Sequence, residues 1–277
     1  MISRNLFSRA KSRYRGFTLI ELLISVILAA MVTAAAMGIY ITQHKQLLVQ
    51  EDISDMQSSI RASAVELATN IRMAGYNIPE GVIPLEAYNT NPDTIVVMYD
   101  TGNLRDVAID WPMPQPSAEL RCDDDDLSPL HDNDWVYIYD PSTQTGEFFL
   151  VTQVQYASGH IQHNTMPLSR AYPLGSVLYR MDRFKYYIDR TDPHHPNLMV
   201  EEIGGNPQVY AENITDLNFR YVLSSGAIVD VPPSVDMVRE IIIEIDARTN
   251  RPDEDFQVDF RTRDLTTRVK VRNLGIG

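Results

Sequence analysis

Phe17–Ile41 runs for 25 residues with one charged side chain, Glu21. A helix needs about 20 apolar residues to cross the hydrocarbon core of a bilayer. This segment is long enough to span a membrane. The carboxylate is the anomaly. A charge at the centre of a span costs ~2.5–3.5 kcal/mol and less near its end, and such residues mark function.

The flanks narrow the reading. Residues 1–16 carry Arg4, Arg9, Lys11, Arg13 and Arg15 and no acid, a charge bias that places this leader on the cytoplasmic side of a membrane. An ordinary secretory signal has an apolar core of only ~7–15 residues before its cleavage site, so this span is too long, although "TAAAMG" (33–38) imitates such a site. A plain anchor explains neither the leader nor Glu21. The whole chain has a net charge of −13; without the five leader cations, 19 basic residues face 37 acidic ones, a net of −18. So acidic a body argues against nucleic-acid binding, which needs clustered Lys and Arg. Cys122 is the single cysteine. No internal disulfide is possible, and the thiol is expected to be buried or free.

The helical pattern does not stop at Ile41. Val49, Ile53, Met56, Ile60, Ala64, Leu67, Ile71 and Ala74 recur in steps of three and four, one apolar stripe of an amphipathic helix. Asp52, Asp55, Gln57, Arg61 and Glu66 are expected to face elsewhere. Gly75 is a natural helix stop and Pro79 ends the segment. The expectation is one helix over Phe17–Ala74, roughly 58 residues and about 87 Å at ~1.5 Å per residue. Beyond Pro79 come short β-rich runs between turn signals: 94–100, 134–140, 147–155, 176–189, 214–223, 238–248 and 255–271. In the last two, Ile241, Ile243 and Ile245 oppose Ile242, Glu244 and Asp246, and Val258 shares a face with Phe260. Alternation predicts antiparallel strands with one buried face, for which the amphipathic helix is the cover. Residues 111–134 and 190–208 read as loops.

"RGFTLIE" (15–21) resembles the processing signal of bacterial type IV prepilins and the related pseudopilins of type II secretion. That pattern is a basic leader ending in glycine, an aromatic residue, and a glutamate at the fifth mature position. The resemblance implies that prepilin peptidase cuts between Gly16 and Phe17 and methylates the new Phe17 amine. It also implies that the Glu21 carboxylate pairs with the Phe17 amine of a neighbouring subunit, compensating two charges that are each costly alone in an apolar bundle. "NIRMAGYN" (70–77), "AENITDLNFRYV" (211–222), "VREIIIEIDARTN" (238–250) and "VKVRNLG" (269–275) are similar to PilW-like minor pilins; residues 100–170 carry little of this likeness.

The implied architecture is α+β and pilin-like: a cleaved leader (1–16), a membrane and assembly half of the helix (17–41), an amphipathic half (42–75) and a β-rich globule (76–277). The implied function is a non-enzymatic minor pilin, without cofactor, that primes a type IV pilus. Its partners are other minor pilins and the major pilin through the helix, prepilin peptidase, and the inner membrane from which the globule projects into the periplasm. The alternatives are a J-type minor pseudopilin and a tip-located adhesin.

Two other clusters require a reading. "RCDDDDLSPLHDND" (121–134) places Asp123, Asp124, Asp125 and Asp126 in sequence. Oxygen-rich loops of this kind suit Ca²⁺, but the alternating spacing and central glycine of an EF-hand are missing, and a solvated acidic loop is expected. "DPHHPN" (192–197) reads as a turn, because adjacent imidazoles rarely point the same way. Ser-His-Asp, phosphate-loop and paired-carboxylate motifs are not found.

Overall fold

The computed structural model describes residues 16–102, 104, 106–253 and 259–274; leader residues 1–15 and Val258 lie outside the described residues. Two compact units divide between Glu51 and Asp52. Helix α1 (Leu19–Met73) opens the fold, followed by β1 (Leu85–Tyr88) and β2 (Thr94–Tyr99). Six short strands come next: β3 (Leu120–Arg121), β4 (Trp135–Asp140), β5 (Thr145–Leu150), β6 (Gln153–Gln155), β7 (His160–Gln162) and β8 (Val177–Tyr179). The chain then forms β9 (Asp182–Asp189), β10 (Asn197–Glu202), β11 (Gln208–Glu212), β12 (Ile214–Leu223), β13 (Ile228–Val229), β14 (Val238–Arg248) and β15 (Thr262–Lys270). This is the α+β, pilin-like layout expected from the alternation.

All strand pairs are antiparallel. They form a five-stranded sheet ordered β1-β2-β9-β10-β11, a four-stranded sheet β13-β12-β14-β15, and two three-stranded sheets, β3-β7-β6 and β5-β4-β8. Asp93 ties the larger two together: its amide donates to the Leu217 carbonyl at 2.8 Å, and its carboxylate accepts the Phe219 amide at 2.8 Å. The second half of α1 packs on both. Met56, Ile60, Ala64, Leu67, Ile71 and Ala74 join Leu85, Ile95, Tyr186, Leu217, Phe219, Ile241, Ile243 and Ile245 in the main core. Ile241, Ile243 and Ile245 face inward as the alternation predicts. The helix ends where expected: Gly75 sits at φ +81°, and a Cβ there would come within 2.9 Å of the Asn273 carbonyl. Glycine is required by both the dihedral and the close approach.

Several expectations are corrected. Val49 and Ile53 are only half-buried, whereas Asp52 is buried. Asp52 accepts a two-pronged contact from Arg251 Nε and Nη at 3.1 and 3.0 Å, so an acid four residues before Met56 sits in the stripe because a cation meets it there. Glu66 also fails to face away: it accepts the Tyr186 hydroxyl proton at 3.0 Å. Residues 147–155 and 176–189 are not single strands. The first breaks at Val151, where β5 leaves β4 and β6 takes up β7. The second breaks at Arg180, where β8 pairs with β4 and β9 with β2. Residues 190–208 contain β10, whose Leu198 and Met199 are buried.

The middle of the chain has a core of its own. β2 and β9 are sheet neighbours, with Ile95 opposite Tyr186, and the segment between them leaves and returns. Its interior holds Val107, Ile109, Leu120, Cys122, Leu130, Val136, Ile138, Phe149, Val151, Ile161 and Leu178. Burial pushes the Cys122 thiol up to about 12, so it is unreactive at neutral pH.

Candidate functional site

Within the first unit, α1 shows apolar side chains on every side. Phe17 and Leu19 are more than four-fifths exposed, and Leu22, Ile24, Ile27, Met31, Val32, Ile39 and Tyr40 are exposed as well. The core helix of a soluble protein buries such residues; here none of the most apolar stretch is buried within the subunit. Lipid or other helices must therefore supply the missing contacts, because apolar area left in water costs roughly 25 cal/mol per Å². The hydroxyls along this stretch are already satisfied internally. Ser25 donates to the Glu21 carbonyl at 2.7 Å, Thr33 to Ala29 at 2.8 Å and Thr42 to Gly38 at 3.1 Å. Back-bonding of this kind keeps a polar group from needing water.

The helix opens at a capping box. Thr18 accepts the Glu21 amide proton on its hydroxyl at 3.3 Å, while Glu21 Oε2 accepts from the Thr18 amide and hydroxyl, both at 2.9 Å. The helix therefore starts at Leu19, two residues beyond the expected Phe17. Thr-x-x-Glu just before an apolar run is a legible N-terminal signal, and "TLIE" (18–21) carries it. Within the subunit, Glu21 is thus a local cap as well as an acid in an apolar span. The carboxylate remains exposed and has further acceptor positions.

Two glycines have no internal reason to be glycine. A Cβ at Gly16 or Gly38 would meet nothing within 4 Å, and neither residue has a positive φ. Any demand for glycine there is imposed from outside the subunit.

The acidic run is dispersed by local structure. Asp123 pairs with Arg121 at 2.8 Å and lies 3.4 Å from His160. Asp125 accepts the Ala108 amide at 2.7 Å, Asp126 caps Ser128, and the Asp124 amide donates to Asp110. Among the described residues, no group of three or more His, Cys, Asp or Glu side chains is arranged to hold a metal ion. His194 and His195 stand exposed on a turn closed by Asp192.

Fold and helix together define the class: an α+β protein of pilin-like layout with an N-terminal helix built for an apolar environment. Residues 11–37 match the family model described as the prokaryotic N-terminal methylation motif. The match supports a type IV pilin-like protein, with processing by prepilin peptidase and assembly as a pilin. It covers the end of the leader and the start of α1 and leaves the globular unit outside it. No curated protein and no solved structure matches the chain.

Proposed function

We propose that this chain is a minor pilin of PilW-like type, which waits in the inner membrane and helps initiate a type IV pilus once its leader is removed. The observation that carries this reading is the methylation motif at 11–37, seated on a helix whose apolar surface is left uncovered by its own subunit. Gly16 and Phe17 form the processing point. A glycine that the fold does not require is what a peptidase approaching the scissile carbonyl would select, since any side chain would obstruct it. After cleavage, the Phe17 amine lies next to Thr18, and Glu21 can exchange its capping bonds for the amine of a neighbouring subunit. The chain's work is assembly rather than catalysis.

Mass spectrometry of the mature protein tests the processing: N-methylated Phe17 at its start is expected, and Gly16→Val should leave the full-length precursor. A first residue near Ala36 or Met37 would mark an ordinary signal peptide and end the pilin reading. Recovery with purified pili separates a pilus subunit from a pseudopilin, which would follow the secretion apparatus.

A further inference from the structure

Between its bulges the four-stranded sheet turns odd-numbered residues to the core and even-numbered residues outward, with Ile242 a buried apolar residue on the outward side, and that side is charged unevenly along its length. At one end, register places Asp216, Asp246 and Asp264 side by side across β12, β14 and β15. Like charges in opposed positions destabilise a sheet. Burial, and then the carboxylates of Asp216, Asp264 and Glu244, push the Asp246 carboxyl above its ordinary range. Cations near this row compensate it only in part, at Asp216. Arg190 reaches Asp216 at 3.3 Å, but Arg248 gives its guanidinium to the Pro193 and His194 carbonyls and lies over the Phe260 ring.

The other end of the same strands is basic. Arg268, Lys270 and Arg272 are exposed, and Arg239 stands beside them, with the Val271 amide on its carbonyl. Glu240 offsets them weakly, 4.0 Å from Arg268. Arg239 spends its donors on the Asp236, Val238 and Leu274 carbonyls. Among the described residues, Lys270 and Arg272 meet no carboxylate within ion-pair distance. Between the two ends, Arg220 and Glu244 pair with each other.

This polarity has a direction. Arg251, just past β14, holds Asp52, whereas Asn273, just past β15, lies against Gly75 at the end of α1. The acidic end therefore lies beside residue 52 and the basic end beside the helix C-terminus. A two-fold pairing of β15 edges would reverse one helix relative to the other. Copies anchored in one membrane share a direction, so that arrangement is closed to them, whereas a heterologous contact keeps the helices parallel.

We propose that this face docks a second copy of the chain head to tail, with the basic end of one copy (Arg268, Lys270 and Arg272) against the Asp216–Asp246–Asp264 row of the next. The occupant is another copy because both halves of the complementarity belong to one sequence, and among the described residues Asp246 and Asp264 on one end and Lys270 and Arg272 on the other have no ion-pair partner within the subunit. Docking relieves the carboxylate row with cations that the subunit itself does not supply.

The test uses two differently tagged full-length chains, co-expressed and solubilised in mild detergent at low salt. Arg268→Glu/Lys270→Glu or Asp246→Lys/Asp264→Lys should each lower self-co-purification about tenfold, from two exposed pairs turned repulsive. Mixing the two reversed chains should restore it, because one end of each now matches an end of the other, and high salt should weaken the wild-type contact. Resistance to limited proteolysis checks that each variant is folded; if the acidic-end pair is not, Asp264→Lys alone replaces it. Failure of wild type to co-purify with itself overturns the proposal, as does a mixed pair no better than either chain alone. Association through the apolar helices alone would leave both reversed chains at wild-type level, which also overturns it.

Discussion

Asn70 is the strongest single test of how the helix is held. It lies on the docked face of α1, where a hydrophobic residue would serve the stripe, and joins a polar cluster under the helix. Its amide donates to the Tyr186 hydroxyl at 2.7 Å and to Glu66 Oε1 at 2.9 Å, and its carbonyl accepts the Tyr99 hydroxyl at 2.6 Å. Tyr186 is wholly buried and Tyr99 nearly so. In Asn70→Ala the Tyr99 hydroxyl loses its acceptor, and an orphaned buried donor costs ~1–3 kcal/mol. Tyr186 keeps Glu66 as acceptor but loses an incoming donor, which adds about 1 kcal/mol. The expected total is about 3 kcal/mol, a large share of a typical stability of ~5–15 kcal/mol. Tyr186→Phe should cost only about 1 kcal/mol, because half-exposed Glu66 can be rehydrated and Asn70 keeps two partners. The double variant should cost less than the sum, since both changes break one shared bond. Urea unfolding of the protein lacking its first 42 residues, followed by circular dichroism, measures each value. A cost for Asn70→Ala within ~0.5 kcal/mol of zero, the range of ordinary surface changes, would refute the reasoning, as would a larger cost for Tyr186→Phe.

Asp140, buried at the end of β4, should make stability depend on acid. Hydrogen bonds from Ser142, with help from Thr143 and Arg170, hold its carboxyl below the ordinary range. A depressed folded value means that its contribution is present above the unfolded value and fades as pH falls through the folded one. Asp140→Asn should therefore destabilise the protein at neutral pH and flatten the acid limb of a stability-against-pH curve; an unchanged limb would count against the assignment. Glu21→Ala should still insert and be cleaved, with normal membrane levels, but show reduced crosslinking to partner pilins and fewer surface pili. Glu21→Gln should fall between, and wild-type piliation in Glu21→Ala would remove the charge-pairing role.

The same residues show what a linear pattern can and cannot carry. The apolar span, the three-and-four spacing to Ala74, the stop at Gly75 and the alternation of 238–248 are local properties, and each was legible because it reflects the period of its own element. The methylation motif at 11–37 is local as well. Periodicity reports which side of an element is buried, not what it is buried against. Residues 147–155 and 176–189 read as continuous strands because every residue in them suits a sheet; only the competing partners β4, β7 and β2 decide where each run divides. Asp52 and Glu66 read as outward-facing because Arg251 and Tyr186, which make them stable against the globule, lie far away in sequence. The aspartate row and the basic end of the outward sheet face likewise exist only once β12, β14 and β15 are in register. The sequence determined the elements and the anchor. Tertiary structure alone decided the pairings and the charge pattern, because both arise from contacts between residues that the chain keeps apart until it folds.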